Sequence, residues 1–205
     1  MIGPEFAVIF VGWLLAGGSP GPATLGIAGT AMMSGRRDAL AFAFGILAGS
    51  ASWGIAAAAG LSAVMLANAW LFEIVRYAGA VYLGWLAFKA ARSAWRGGAA
   101  QGRPFAGTPR TLFLKGAAIH LTNPKAILSW GSIYAIALPA GAGATAIWTC
   151  FAVLYAGSIL IFLGYAVLFS SPRMVRAYAA ARRWFDGGFA MFFGFASWKI
   201  LTARI

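Results

Sequence analysis

Apolar runs of about 20 residues or more recur along this chain, and that recurrence decides its solvent before any other feature is read. A run of that length crosses the hydrocarbon core of a bilayer as a helix. Six spans are expected, at about 5 to 33, 39 to 66, 70 to 91, 112 to 138, 144 to 170 and 184 to 203. Only 10% of the residues are charged, where a soluble domain carries about 25%. Four acidic residues, Glu5, Asp38, Glu73 and Asp186, cannot clothe a globule in water. The fold class is all-α integral membrane, and residues 1–205 are expected to form a single transmembrane domain. The first run has no basic segment before it, is long for a signal peptide and is followed by five more spans, so it is kept as structure.

The formal charge of +12 raises nucleic acid as a partner, but the position of the charges argues against it. Arg36 and Arg37 lie in the first loop; Lys89, Arg92, Arg96, Arg103, Arg110 and Lys115 lie in or beside the third; Arg173, Arg176, Arg182 and Arg183 lie in the fifth. Arg76, Lys199 and Arg204 fall on the other face. The positive-inside rule then puts loops one, three and five in the cytoplasm and both termini outside. The basic residues set orientation and meet anionic headgroups. The partners expected are a small-molecule substrate and membrane lipid, with a homo-oligomer admissible and nucleic acid excluded.

Lys125 belongs to neither face. It sits with Thr122, Asn123 and Pro124 in the middle of the fourth run. Proline inside a helix removes a donor and frees the carbonyl four residues back, here that of His120. Asn before Pro is also a helix start signal, with Asn as N-cap and Pro at the first helical position. The run therefore reads as two half-helices meeting near the midplane. The first run has a comparable break at Ser19-Pro20-Gly21-Pro22, read as Ser19 capping a helix that restarts at Pro20. One proline kink is common in a spanning helix and only shapes packing; two at matched places point to a site.

The chain also matches itself. Ser19-Pro20 answers Asn123-Pro124, Ala48-Gly49-Ser50 answers Ala156-Gly157-Ser158, and the run from Gly84 to Lys89 answers that from Gly194 to Lys199. This divides the chain into repeat 1 at about 1–92, a linker at about 93–111 and repeat 2 at about 112–205. The linker is rich in Gly, Ala, Pro and Arg and is expected to be mobile. Three spans per repeat is an odd number, so the second unit lies upside down relative to the first. Broken segments at corresponding places in inverted halves are the best sequence pointer to a transporter's central site.

Geometry then suggests a sign of charge. Both half-helices that follow the breaks have their N-termini near the midplane, with unpaired N–H groups and partial positive charge. Lys125 adds a full charge, and a carboxylate is the natural ligand. The other reading is that Lys125 bonds freed carbonyls such as that of His120 and locks the break. His120, the single histidine, is either a proton carrier or a packed neutral ring. Thr24, Thr122 and Ser50 offer hydroxyls; Ser50 either faces a cavity or bonds its own backbone. Ala41, Gly45 and Gly49 form a small-residue seam read as packing. The candidate substrate-binding residues are thus Ser19, Pro20, Gly21, Pro22, Thr24, Ser50, His120, Thr122, Asn123, Pro124 and Lys125. Cys150 is the one cysteine and is read as a small core residue. One Cys, one His and no buried acid pair leave no nucleophile, dyad or metal cluster, so neither an enzyme nor a bound metal or cofactor is expected. A pore or a structural membrane partner is the alternative to a carrier.

Over nearly its whole length the chain resembles the LysE/RhtB family of amino-acid exporters. The resemblance rests on Ser19-Pro20-Gly21-Pro22, on Ser34-Gly35-Arg36-Arg37-Asp38-Ala39, on Tyr77-Ala78-Gly79-Ala80-Val81-Tyr82-Leu83, and on Gly116 to Leu121 leading into Thr122-Asn123-Pro124-Lys125-Ala126. It implies a six-span inner-membrane carrier that expels amino acids or related small metabolites by alternating access, driven by an ion gradient often taken to be protons. Two positions depart from the family pattern. Ala23 stands where members often have Asn, and Ser50 stands where they often have an acidic residue. A neutral amino acid or a derivative is therefore the expected substrate.

Overall fold

Proline and glycine set most helix boundaries in the computed structural model, which describes residues 4–67, 69–96, 105–138 and 142–202. The helices are α1 (Pro4–Gly18), α2 (Pro22–Ser34), α3 (Arg36–Ala67), α4 (Ala69–Arg96), α5 (Pro109–Leu121), α6 (Pro124–Ala137), α7 (Ala144–Leu168) and α8 (Pro172–Thr202). Five of them begin at proline, whose missing N–H costs nothing in a first turn. Between α2 and α3 the whole turn is Gly35, whose φ of 85° suits glycine. Arg36, Arg37 and Asp38, expected as the turn itself, form instead the first turn of α3.

Among the described residues, α3 and α7 are each long and apolar enough to cross a membrane. The pair α1 and α2, bent by 57° at their break, passes the same test together. The 28 residues of α4 and the 31 of α8 have the length to cross but are not among the helices apolar enough to pass the same test. This is an integral membrane protein. The basic segment from Pro172 to Arg183, expected as a connection before the sixth span, is continuous with that span in α8.

Small residues decide which helices touch. A Cβ placed on Gly45 would fall on the Phe113 carbonyl, and one on Gly116 would fall on that of Phe42, so α3 and α5 cross nearly backbone to backbone. Gly49 meets the Cβ of His120 in the same crossing. The Ala41, Gly45, Gly49 seam is thus a packing seam, as its spacing implies. On the far side of the molecule Gly157 of α7 receives Phe10, Trp13 and Leu14 of α1. α4 and α8 pack along their length; Ser197 Oγ donates to Ala80 O at 2.8 Å and lies 3.2 Å from where a Cβ on Gly84 would sit.

Three buried clusters result. One joins α2, α3, α5 and α7 around Ile27, Phe42, Ile46, Leu112 and Phe162. A second gathers Trp13, Trp130, Tyr134, Ile147, Cys150 and Leu154, so that Cys150 is indeed a small core residue. The third holds Tyr82 and Leu86 of α4 against Phe189 and Phe193 of α8. In lipid such packing acts through close contact and interhelical hydrogen bonds rather than through hydrophobic exclusion.

The end of the linker next to α5 is held by specific contacts. Residues 97–104 lie outside the described set, while α4 continues to Arg96 and Thr108 caps α5, accepting from Thr111 N–H at 3.3 Å. Between them the Phe105 ring stacks on Phe42 at 4.9 Å and its N–H donates to Thr30 Oγ1 at 3.3 Å. One aromatic residue that finds a partner is enough to dock this end of the linker, while the rest of the segment expected to be mobile falls outside the described residues.

Candidate functional site

The second break forms as its residues dictate. Asn123 is the N-cap of α6, its side chain accepting from Lys125 N–H at 3.1 Å, and Pro124 is the first helical residue. The first break differs from expectation. Ser19 ends α1, donating from Oγ to Ala16 O at 2.8 Å, and α2 starts at Pro22 with Gly21 as its N-cap. The reason is steric: a residue before proline is disfavoured in the α region, so Gly21 stays extended (φ −167°, ψ 177°) and the helix cannot start at Pro20. Thr24 completes the cap, its Oγ1 accepting from Gly21 N–H at 3.0 Å.

The two breaks meet through Lys125. Its Nζ donates to Ser19 O at 3.0 Å and Ser19 Oγ at 2.5 Å, across 106 positions of sequence. The carbonyl of His120, expected to be freed and named in the alternative reading as a partner for this lysine, is taken by Asn123 N–H at 3.2 Å. Lys125 therefore bonds the carbonyl freed by the other break. With the N-termini of α2 and α6 beside it, the junction concentrates positive potential at one place.

Two cavities flank the junction. The central one, about 40 Å³, is lined by Gly21, Thr24, Ser50, His120, Asn123 and Lys125 among others. It has room for a water or two and none for a metabolite. His120 is buried against Phe162 at 5.6 Å, and its Nδ1 has no hydrogen-bond partner among the described residues. The second cavity, about 270 Å³, lies on the other side of Lys125 toward the basic end of the molecule. Ser19, Pro20, Gly21, Pro22, Asn123, Pro124 and Lys125 line it together with residues of α4 and α8. Its size admits a small metabolite.

Ten of the eleven candidate residues line one cavity or both. Thr122 lines neither; it is exposed, and its hydroxyl donates to Ala118 O at 2.8 Å. Ser50 faces the central cavity and accepts from Trp130 Nε1 at 3.1 Å instead of bonding its own helix. Its counterpart in the internal match, Ser158, accepts from Trp13 Nε1, also at 3.1 Å. The two indoles touch, with ring centroids 4.5 Å apart, and wall the central cavity on α1 and α6, the half-helices leading away from the basic end. Trp13 and Trp130 escape a reading of the sequence because nothing there separates them from the other seven tryptophans. Ser158 had a signal, its match to Ser50. Also unforeseen at the site are Lys89, Ser93 and Asp186, which line the larger cavity.

The profile of the LysE type translocator family matches residues 15–204, almost the entire chain. The chain belongs to that family. It is therefore a transporter of the bacterial inner membrane and not an enzyme. Among curated relatives, the chain is 34% identical to a threonine efflux protein of Salmonella typhimurium over 189 residues, which is 90% of this chain and 91% of that protein. It is 32% identical to a threonine efflux protein of Escherichia coli over the same shares. It is 35% identical to a leucine efflux protein of an Enterobacter species over 122 residues, 56% of this chain and 54% of that one. No solved structure matches the chain.

Proposed function

We propose that this LysE family member is a secondary carrier that exports a neutral amino acid or a related small carboxylate by alternating access. The observation that carries the reading is Lys125 Nζ, held by Ser19 at the meeting of two helix N-termini and lining both cavities. A cation there is costly unless something uses it, and the groups around it suit a carboxylate. A carboxylate arriving from the larger cavity would compete with Ser19 for the ammonium and loosen the tie between the breaks, which couples binding to movement. The names of the relatives, threonine and leucine efflux proteins, favour neutral side chains.

The architecture we propose is six spans in two inverted repeats, with the linker near residues 93–111 between them and both termini outside. Two matched contacts support it. Gly49 packs on α5 and Gly157 on α1, the first half of each broken span. α4 and α8, the third spans of the two units, cross at their matching glycine segments. In this frame the larger cavity opens from the cytoplasmic half and the Trp13–Trp130 pair closes the outer half.

The test is efflux from preloaded cells. Lys125→Ala, inserted at wild-type level, is expected to reduce release of the exported amino acid to that of cells without the protein. Undiminished release would remove Lys125 from the mechanism. Saturable transport is also expected; conductance without saturation would favour a pore.

A further inference from the structure

The larger cavity carries charges of both signs, and the sequence reading has no role for the negative one. Of the two acidic side chains described, Asp38 and Asp186, only Asp186 is buried, at 2% exposure. It lines the cavity that ends at Lys125. Its Oδ2 accepts from Ser93 Oγ at 2.7 Å and lies 3.5 Å from Arg182 Nε, one turn earlier on α8. Arg182 also donates to Ser93 Oγ at 3.2 Å, so the carboxylate is held in place from two helices. Lys89 is one helical turn from Ser93 on α4, on the same face, with its Nζ 4.5 Å from the centre of the Trp85 ring, and it lines the same cavity. A fixed carboxylate and a lysine lining one space open to a small molecule suit the head group of an α-amino acid, whose opposite charges sit on neighbouring carbons.

We propose that this cavity is a loading site for a zwitterion, with Asp186 receiving the substrate ammonium and Lys89, then Lys125, receiving its carboxylate. The inference rests on the carrier reading above and adds the residues that would tell an α-amino acid from a carboxylate that lacks the amine. The volumes point the same way, since about 40 Å³ at the centre holds no amino acid while about 270 Å³ beside Asp186 does. The competing account makes Asp186 a clamp between α4 and α8 and nothing more. That account predicts no discrimination between ligands with and without an amine.

The experiment uses the full chain in proteoliposomes, with counterflow of labelled L-threonine and L-leucine and competition by the corresponding 2-hydroxy acids. In the wild type each amino acid is expected to compete about tenfold or more better than its hydroxy acid, the value of one charge-assisted hydrogen bond. Asp186→Asn is expected to erase that ratio by raising the amino-acid KM while leaving competition by the hydroxy acid unchanged. Asp186→Glu, which keeps the charge, is expected to keep a preference. Equal competition in the wild type, or a parallel loss for both ligands in Asp186→Asn with the preference also lost in Asp186→Glu, would overturn the assignment. Absence of saturable transport of either amino acid in the wild type would overturn the carrier reading, and this one with it. If Lys125→Ala transports normally while Asp186→Asn loses the preference for the amine, the role of Lys125 falls and that of Asp186 stands.

Discussion

Lys125 is the residue whose surroundings say most about the protein. In hydrocarbon its charge is tolerated only with partners, and among the described residues these are one hydroxyl and one carbonyl of Ser19, both uncharged. An acidic partner would have closed the site to an anion; neutral ones leave it available. Ser19→Ala removes the hydroxyl and spares the carbonyl, so it is expected to weaken the tie without abolishing transport, seen as a changed KM with protein level unaltered. The paired indoles invite a second test. Trp130→Phe with Ser50→Ala, and Trp13→Phe with Ser158→Ala, form double-mutant cycles in which each N–H to hydroxyl bond should show coupling of about 0.6 to 1.7 kcal/mol in reversible unfolding in detergent. Additive effects in both cycles would mean that the bonds seen at 3.1 Å contribute no stability.

At the scale of elements, the crossing of α3 and α5 is set by backbone contact rather than by side-chain fit. Gly45→Val or Gly116→Val must push the helices apart, because the added Cβ meets backbone atoms that cannot swing away. The cost is expected to exceed the about 1 to 3 kcal/mol of ordinary overpacking, seen as a lowered Tm or loss of folded protein. Gly131→Ala is the control: its Cβ meets nothing within 4 Å, so Tm should hold or rise slightly. A Tm for Gly45→Val equal to that of the control would contradict the close crossing. The first break teaches a related lesson about legibility. Its location was plain from Pro20 and Pro22, but the helix start was misplaced, because Gly21 before Pro22 stays extended and Thr24 caps it from within the helix.

For the whole molecule, the placement of twelve basic residues on one face predicts orientation. A reporter fused after Ile205 is expected to be active only when it is one that functions outside the cytoplasm, and activity from a cytoplasm-only reporter would reverse the proposed topology. Cys150 provides a further handle, since it is the one cysteine and is buried. A membrane-impermeant maleimide should leave the wild type unlabelled, whereas Ser93→Cys should label from the cytoplasmic side and be protected by bound amino acid. Labelling of Ser93→Cys only from outside would place the larger cavity on the wrong side of the membrane.

Solvent, helix content, the two breaks and their charge could all be read from the chain, because apolar length, proline position and the place of a lysine are local facts. So could the seam at Gly45 and Gly49, since helical spacing alone puts small residues on one face. Which carbonyl Lys125 bonds could not, because Ser19 lies 106 positions away and reaches it only when two broken helices cross. The same holds for the Trp13–Trp130 pair and for Asp186, a charge near the start of a span until α4 folds against α8 and brings Ser93 and the cavity to it. The sequence by itself determined that a lysine-bearing helix break lies inside a membrane protein; the tertiary structure alone decided what faces it, because contacts between helices depend on how their faces are rotated and not on their order.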